Sequence, residues 1–564
     1  MRFLRDSFRL SIFPSTLSCF ALALSSCHGV DVETGSDESV FTEATESNDG
    51  SDDGSGNGTL DDTNDSSVPA ETTFPQAFHK AFWANPELYD RIPIQIRTAG
   101  QNVNIEIAGV NYTATPAASD HTFVAEVEIG SLSDGTYPIS ALVDDETIED
   151  APTLHIGRAG MQFTNWDQVG SAATPRLHSV DGAVYLTWKD RRSGSGRAWL
   201  QELNGAGVGQ GEPVGISPGD QDIRLGRAVV TPNHVCLLYQ EIVDGASANF
   251  RNWLRVTDHQ GNEVIEAIPL DEEGAYGLRA GDITFDKEGC VAVWHKRASG
   301  LDGKMQIEWV RVHLGTLEVQ GPKTIATSGD EDPIGTFLPT TFIHVATLDD
   351  RSMVTFTRNL YNDILELSVL TNYATIVDQE GAVLSESVLP TPYQFPFAIE
   401  TKVSMVHDQW IPLWTASDLL AMANTDCSTD DCNPDIQIFG SKLNGAQDPS
   451  LIDPTDIIFD DQNRSQMALI EHPLHFATMA WIDERSREDS IVEGGFELYF
   501  AAVDEDLLAG EEHAVPHARF IVDSAELGGQ SLGSNVMLVW IDERKGGSNI
   551  LNPTPEIYFE TLWY

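Results

Sequence analysis

Apolar side chains on both faces of one strand give the first indication of the fold. Residues 536–544 read VMLVWIDER. Side chains of a strand alternate between its two faces, so Val536, Leu538 and Trp540 point one way and the apolar residues between them point the other. A strand of this kind must be covered on both sides. The pattern therefore predicts a sheet packed between two neighbouring sheets.

The same pattern recurs along the chain as apolar runs that each end in an aromatic residue. Seven such runs end at Trp188, Tyr239, Trp294, Phe356, Trp414, Trp481 and Trp540. The spacing between successive aromatics lies between 51 residues (188 to 239) and 67 residues (414 to 481). Most runs are followed by a second strand pattern, such as residues 197–201 or 556–559, and several then by a turn signal such as Asn204-Gly205. Repeats of this length with several short strands predict an all-β fold with a seven-bladed β-propeller over residues 158–564.

The two ends of this array predict how it closes. The last unit ends at Tyr564, directly after its strand pattern at residues 556–562, and so lacks an outermost strand. Residues 161–166 precede the first unit and are well placed to supply it. Closure of this kind removes an exposed sheet edge.

A shorter alternating pattern precedes the array. Residues 74–157 carry apolar residues at every second position, for example Ile92, Ile94 and Ile96, and a Ser-Asp-Gly turn signal at 133–135. The pattern predicts a small antiparallel β-sandwich. It resembles the immunoglobulin-like (Ig-like) modules of bacterial surface proteins, which implies a spacer or adhesion role.

The first 27 residues have the pattern of a targeting signal. Arg2, Arg5 and Arg9 precede a short apolar run, and small residues follow before Cys27. This resembles the lipobox of bacterial lipoprotein signal peptides and implies cleavage before Cys27, which becomes the lipidated first residue. No other stretch is apolar for long enough to cross a bilayer. We therefore expect attachment to the membrane through acyl chains alone, in the cell envelope, with the outer membrane as the implied destination.

Charge separates a tether from the folded part. Residues 28–73 are rich in Asp, Glu, Ser, Thr and Gly and contain no Lys or Arg, which predicts a disordered acidic tether. The whole chain has 87 acidic and 33 basic residues and a formal charge of -54. Nucleic acid is excluded as a partner, because phosphate binding needs a clustered basic surface.

Polar residues after some of the aromatic-ended runs are the first candidate site residues. Three units carry the triplets Trp188, Asp190, Arg192; Trp481, Asp483, Arg485; and Trp540, Asp542, Arg544. The array resembles bacterial secreted β-propellers with Trp-x-Asp-x-Arg repeats. Residues at this spacing share a face, so the Asp can accept from the Arg while the Trp packs against the next unit, which indicates a structural role. The alternative is an arginine cluster that binds a carboxylate ligand, as in sialidases, whose Ser-x-Asp-x-Gly-x-Thr-Trp box is absent.

Cysteines and histidines supply the remaining candidates. Cys427 and Cys432 are expected to form a disulfide, whereas Cys236 and Cys290 lie on corresponding strands and either pair or remain buried thiols. No cofactor is expected. Calcium is the one cation left open, by the acidic runs at 52–54 and 424–435, although both are better explained as solvated loops. The pair His472 and His475 is interpreted as a turn before a strand and not as a metal site.

Recognisable catalytic motifs are absent from the sequence, which contains no Gly-x-Ser-x-Gly, His-Glu-x-x-His or phosphate-binding glycine loop. The sequence therefore predicts a lipid-anchored envelope protein that presents a non-catalytic propeller for binding or scaffolding of a protein or glycan. One alternative is a glycan-acting hydrolase with its site at the central mouth, and another is an outer-membrane assembly or adhesion factor. Asp and Arg side chains that converge centrally, with raised carboxyl pKa values, would favour the hydrolase, and triplets buried between units would favour the scaffold.

Overall fold

The structure of the protein, a computed structural model, is all-β. It divides the chain into two compact units, Met1–Val68 and Pro69–Tyr564, and every described residue belongs to the second. The described residues are 71–77, 79–119, 121–158, 160–164, 172–219, 221–242, 250–271, 281–297, 305–327, 343–362, 367–390, 397–417, 436–443, 455–458, 464–483, 496–518, 526–542 and 555–564. Within these ranges the structure has no helix. It therefore contains no helix that is long and apolar enough to cross a membrane.

Two sheets that share one core form the N-terminal part of the second unit. Their strands are β1 (Ala81–Ala84), β2 (Arg91–Arg97), β3 (Val103–Ile107), β4 (Val110–Thr113), β5 (Thr115–Pro116), β6 (Thr122–Glu128), β7 (Gly135–Val143), β8 (Glu146–Ile148) and β9 (Thr153–Ile156). One sheet has the order β1-β9-β7-β3-β4 with β8 on β7, and the other has the order β2-β6-β5. Alternate residues of β2 point into the shared core, as the period of two predicted. The pairing of β1 with β9 is parallel, so the predicted antiparallel arrangement is wrong at this pair.

Seven four-stranded sheets follow among the residues that the structure describes, and we number them sheet 1 to sheet 7 in the order of their first strands. Sheets 1 to 3 contain β11 (Ala173–Val180), β12 (Ala183–Asp190), β13 (Arg197–Leu203), β14 (Gly209–Gly215); β15 (Ile223–Val230), β16 (Val235–Ile242), β17 (Phe250–Thr257), β18 (Glu263–Pro269); and β19 (Asp282–Asp286), β20 (Gly289–Arg297), β21 (Met305–His313), β22 (Glu318–Thr327).

Sheets 4 to 7 complete the set. They contain β23 (Ile343–Leu348), β24 (Arg351–Asn362), β25 (Leu367–Asp378), β26 (Val383–Val388); β27 (Phe397–Val406), β28 (Gln409–Ser417), β29 (Ile436–Gly440), β30 (Thr455–Ile458); β31 (Arg464–Glu471), β32 (Ala477–Asp483), β33 (Glu497–Val503), β34 (His513–Ala514); and β35 (Gly528–Leu532), β36 (Asn535–Asp542), β37 (Glu556–Leu562) with β10 (Met161–Gln162). Consecutive strands pair antiparallel in the first six sheets.

Sheet 7 takes its outermost strand from the other end of the chain. The strand β10 pairs antiparallel with β37. Phe163 extends the contact, because its backbone N–H donates to the carbonyl oxygen of Ile557 at 2.8 Å. The predicted closing strand is thereby confirmed, although residues 165 and 166 lie outside the described residues.

The first strands of the seven sheets contact one another in a cycle. Each touches the first strand of the next sheet, from β11 with β15 to β31 with β35, and β35 touches β11. The sheets therefore form a propeller-like ring around a central axis. The second strands are the apolar runs of the sequence, and all eight residues of β36 are buried, as a strand covered on both faces requires.

The aromatic residue of each run packs against the sheet that precedes it in the ring. Trp188 shares a core with Met537 and Val539 of sheet 7, and Trp540 shares one with residues of sheet 6. The expectation that the tryptophans pack against the next unit is wrong in direction. The reason is the alternation of side chains, which places Trp188 on the same face of β12 as Leu186, and this face looks back along the ring.

A disulfide and a set of buried hydrogen bonds join parts of the unit that are distant in sequence. Cys236 of sheet 2 is bonded to Cys290 of sheet 3, which settles the alternative that the sequence left open. Trp83 Nε1 donates to Glu560 Oε1 at 2.9 Å and Asn85 Nδ2 donates to Glu560 Oε2 at 2.8 Å. These bonds attach the sheets of β1 to β9 to sheet 7.

Candidate functional site

A cavity of about 320 Å³ lies on the axis of the ring. The first strands of all seven sheets and the residues next to them line it. Its volume falls at the lower end of the roughly 300–1,000 Å³ that is usual for small-molecule sites. Because every sheet contributes to the lining, side chains that are more than 300 residues apart in sequence, such as Arg176 and Glu526, meet there.

One register position of the first strands supplies most of the charge in this cavity. In each sheet it is the residue that pairs with the residue before the aromatic, namely Arg176, Arg227, Asp282, His344, Lys402, Ala468 and Gly528 in order. Two residues earlier in sheets 5 to 7, Glu400, Gln466 and Glu526 line the same cavity. The equivalent register places these groups at two adjacent levels of the channel.

The two arginines bind carboxylates across the channel. Arg176 Nη2 lies 2.6 Å from Asp282 Oδ1. Arg227 contacts Glu526 through both Nε, at 2.7 Å, and Nη2. Arg227 Nη1 also donates to the carbonyl oxygen of Gly281 at 2.9 Å. These contacts join sheets 1, 2, 3 and 7 into one buried network.

The network fixes the protonation of its acids. Burial opposes the charge of Asp282, but Arg176, a hydrogen bond from His344 and Arg227 together hold its pKa well below the usual range. Burial likewise opposes the charge of Glu526, and Arg227 and Arg176 outweigh it and lower that pKa. Burial lowers the pKa of His344 to about 4, although its Nδ1 lies 3.3 Å from Asp282 Oδ2. At neutral pH the two carboxyl groups are ionised and His344 is neutral.

A second cluster lies at the sheet 5 and sheet 6 side of the cavity. Lys402 Nζ donates to the carbonyl oxygen of Met467 at 2.9 Å, and burial lowers the pKa of Lys402. Glu400 is 5% exposed and its Oε2 accepts from the backbone N–H of Gln466 at 3.1 Å. Gln466 has a φ of 50°, a conformation that costs a non-glycine residue about 1–3 kcal/mol and that is common near functional sites. A buried carboxyl group is thus held by a strained backbone.

The tryptophans and aspartates of the Trp-x-Asp-x-Arg triplets lie away from this cavity, on the second strands. Asp190 Oδ2 accepts from Trp188 Nε1 and from Arg192 Nε, each at 2.8 Å. In the other two triplets, Trp481 and Trp540 donate to Asp483 and Asp542 at 3.4 Å. All three carboxylates are buried. Arg485 and Arg544 lie outside the described residues.

Sheet 3 has no Asp after its tryptophan and obtains a carboxylate from elsewhere. Lys296 occupies the position of the Asp. Trp294 Nε1 instead donates at 2.9 Å to Asp271, which follows the last strand of sheet 2. Burial raises the pKa of Asp271. The indole N–H therefore donates to a carboxylate in both sheets. In sheet 1 the acceptor is Asp190 on the same strand, and in sheet 3 it is Asp271 after the last strand of sheet 2.

Other residues singled out from the sequence take no part in the cavity. Cys27, Cys427 and Cys432 and the acidic runs at 52–54 and 424–435 lie outside the described residues. The rings of His472 and His475 stack at 3.8 Å between β31 and β32, and their Nε2 atoms contact Ser534 and Thr478. Over the described part of the chain, no three His, Cys, Asp or Glu side chains are grouped as metal ligands.

The charged residues of the cavity were not among the residues predicted from the sequence, although the sequence contains a signal for them. Arg176 lies 12 residues before Trp188, and Arg227, Asp282, His344 and Lys402 lie at the same distance before their own aromatic residues (239, 294, 356 and 414). Ionisable residues that lie the same number of residues before a repeated aromatic occupy equivalent positions in their sheets, and so lie at one level of the central channel.

Comparisons with known proteins show similarity of structure alone. No family model and no curated protein matches the chain. An α-L-arabinanase of Penicillium chrysogenum complexed with arabinobiose matches with a TM-score of 0.39 and 11% identity, over 62% of this chain and 97% of that chain. An α-L-arabinofuranosidase of Fusarium graminearum in complex with arabinobiose matches at 0.37 and 10%, over 62% and 96%. The β-propeller domain of the Trilobed protease from Pyrococcus furiosus matches at 0.38 and 9%, over 70% and 98%.

These matches correct one expectation from the sequence. The non-catalytic binding or scaffolding propeller is contradicted, since glycan-acting enzymes such as the arabinanase and the arabinofuranosidase recur among the similar structures. At 9 to 11% identity and TM-scores below 0.5, neither substrates nor residues are transferred from these proteins.

Proposed function

We propose that this chain is a glycan-acting hydrolase whose active site is the central cavity. The observation that carries the proposal is the meeting of three carboxyl groups, Asp282, Glu400 and Glu526, in one cavity of about 320 Å³. Most glycoside hydrolases use a pair of carboxyl groups on either side of the scissile bond, one as a proton donor and the other as a base or nucleophile. Arginine, lysine and histidine side chains around them fix their positions and charges.

The ionisation of two of the three acids suggests their roles. Asp282 and Glu526 are held in the ionised form by the arginines, so they serve as negative groups beside a developing oxocarbenium ion and as base or nucleophile. Raised carboxyl pKa values were expected for a hydrolase, and these two are lowered instead. By elimination among the acids that line the cavity, Glu400 is the proton donor.

The surroundings of Glu400 fix its position. Its backbone N–H donates to Thr415 Oγ1 at 3.0 Å, and its side-chain Oε2 accepts from the backbone N–H of Gln466 at 3.1 Å. Both bonds come from strands of the rigid ring, and general acid catalysis requires a donor that is held within hydrogen-bond reach of the leaving oxygen.

Hydrolysis of oligosaccharides by the purified full chain tests the proposal. Release of sugars from a panel of neutral and acidic oligosaccharides is followed by chromatography. Glu400→Gln should lower kcat about 100- to 10,000-fold, whereas Glu505→Gln, a matched change at an exposed site, should leave it unchanged. A wild-type chain inactive on every glycan, or a fully active E400Q variant, would overturn the proposal.

We further infer the finer architecture that the sequence predicts. The seven sheets are the blades of a seven-bladed β-propeller over residues 158–564, and residues 74–157 are an Ig-like module. The cyclic contacts of the first strands and the core shared by β1 to β9 support this reading. The tether predicted over residues 28–73 extends too far at its end, because Thr73 pairs with Arg97 of β2, and we infer a disordered tether for the part before residue 71. Limited proteolysis should cut within 28–73 first, and earlier cuts within 74–157 would contradict this division.

We also infer that the enzyme is anchored to the cell envelope by lipid at Cys27, with the outer membrane as its destination and no nucleic acid partner. The Arg-rich start, short apolar run and small residues before Cys27 support this. Mass spectrometry of the protein from membranes should find acyl chains on Cys27, and Cys27→Ala should release it to the soluble fraction. Unmodified Cys27 would refute the anchor.

A further inference from the structure

We infer that the ligand of the central cavity is a neutral, hydroxyl-rich glycan and not a uronic or sialic acid, an inference that rests on the proposed function. The cations of the cavity are already engaged by the protein before any ligand enters. Arg176 and Arg227 are paired with Asp282 and Glu526, and Lys402 Nζ donates to the carbonyl oxygen of Met467 at 2.9 Å. The two histidines that line the cavity, His178 and His344, have pKa values lowered by burial to about 3 and about 4, so they add no charge at neutral pH.

The arginines are already occupied by carboxylates of the protein. Arg176 is bound to Asp282 at 2.6 Å, and Arg227 makes a two-nitrogen contact with Glu526. A sugar carboxylate would have to displace one of these partners and leave its charge buried and unpaired, which is strongly unfavourable. Hydroxyl groups need no such exchange, because they donate to carboxylates and accept from N–H groups at the same time.

The electrostatic field of the whole chain also disfavours acidic sugars. Its formal charge of -54 repels anionic ligands at long range, and the effect is screened by salt. The pairing of the two arginines acts at contact distance and persists at high salt. The two contributions to selectivity can therefore be separated by experiment.

Matched sugar pairs test the inference on the full chain. Binding is measured by calorimetry for gluco-, xylo- and galacto-oligosaccharides against glucuronate- and galacturonate-containing counterparts, and for lactose against sialyllactose, at 0.15 M and 0.5 M salt. Hydrolysis of the same sugars is followed in parallel. We expect at least one neutral sugar to bind more than 10-fold tighter than its acidic counterpart at both salt concentrations.

The variant Glu526→Gln gives a second, opposite readout. It keeps an oxygen acceptor for Arg227 but removes the negative charge, so the cavity gains one net positive charge. Binding of the acidic counterpart should strengthen at least 10-fold, while the neutral sugar changes little. The wild-type comparison remains decisive if this variant does not fold.

The outcomes separate this inference from the proposed function. Preferential binding of a neutral sugar supports the inference, and if none is hydrolysed the hydrolase proposal falls while the ligand class stands. Preference for a uronate or sialoside overturns the ligand class, and its hydrolysis leaves the hydrolase proposal intact. Selectivity that disappears at 0.5 M salt overturns the role of the paired arginines. Binding of none of the sugars overturns both.

Discussion

Arg176 and Asp282 join two sheets that are not neighbours in the ring. Their side-chain atoms Nη2 and Oδ1 lie 2.6 Å apart, although Arg176 belongs to sheet 1 and Asp282 to sheet 3. Asp282 also accepts from the backbone N–H of Val345 in sheet 4 at 3.1 Å. A single carboxylate therefore holds three sheets around the axis, so the centre of the ring is polar while the contacts between sheets are apolar.

The substitution Asp282→Asn should destabilise the fold strongly. It removes the closer of the two carboxylates beside Arg176, since Glu526 Oε2 lies 3.6 Å from Arg176 Nε, and breaking a buried ion pair on one side costs about 3–5 kcal/mol. The free energy of unfolding is measured by urea denaturation. Asp349→Asn is the matched control, because the pair of Lys287 and Asp349 is 85% and 73% exposed, and exposed pairs contribute about 0–1 kcal/mol. Equal effects of the two substitutions would contradict a structural role of the central network.

The substitution Gly281→Ala should damage the same network through the backbone. A Cβ at this position would lie 1.5 Å from the carbonyl oxygen of Val293. The chain would have to move, and with it Asp282 and the Gly281 oxygen that accepts from Arg227. We expect a loss of several kcal/mol in unfolding free energy and a drop in any catalytic rate. Gly315→Ala is the control, since no atom lies within 4 Å of its Cβ. Similar thermal stability of the two variants would refute the close approach.

Acid should weaken the fold through His344. Burial lowers its pKa from 6.5 to about 4, so the unfolded chain takes up this proton before the folded one as pH falls. The stabilising effect is complete above about pH 6.5 and is lost between about 6.5 and 4, in total about 3 kcal/mol from this group. Three charged groups face the imidazole of His344. Asp282 raises the pKa of His344, whereas Arg227 and Lys402 lower it, and the value of about 4 includes these effects.

A pH series of urea unfolding curves measures the effect. His344→Asn keeps a donor towards Asp282 and removes the titration, so the decline between pH 6.5 and 4 should become shallower. His513→Asn, at an exposed site, should leave the decline as it is in the wild type. An unchanged pH profile in the His344→Asn variant would show that His344 does not contribute.

The apolar part of the fold could be predicted from the sequence, and the polar centre could not. Apolar runs such as residues 536–540 predict a strand that is covered on both faces. The absence of an outermost strand in the last unit predicted that β10 would supply it. These predictions need only local patterns. Arg176 and Asp282 are separated by 106 residues (176 to 282), and nothing local pairs them.

Irregular pairing hid the rest of the site. The register of the first and second strands shifts at bulges in sheets 1, 2, 5 and 6, so the two levels of the cavity do not follow simple alternation. Gln466 lies at such a shift, and only the folded backbone brings its N–H to Glu400. The 12-residue distance to the aromatics was visible, but its meaning depends on knowing that these positions face one axis.

The disulfide between Cys236 and Cys290 should be a large contributor to stability. It links the second strands of sheets 2 and 3 at a sequence separation of 54 residues. A cross-link that closes a loop of this length is worth about 4 kcal/mol in the chain-entropy model. The double variant Cys236→Ala and Cys290→Ala should lose a comparable free energy of unfolding, measured by guanidinium denaturation without reductant. Addition of reductant to the denatured protein should then lower the stability of the wild type but not further lower that of this variant.

Cys427→Ala with Cys432→Ala is the control, because a bridge between those two would close only a short loop and would contribute less. If the Cys236 and Cys290 variant were as stable as the wild type, or if mass mapping found both thiols free, the covalent link between these two sheets would be refuted.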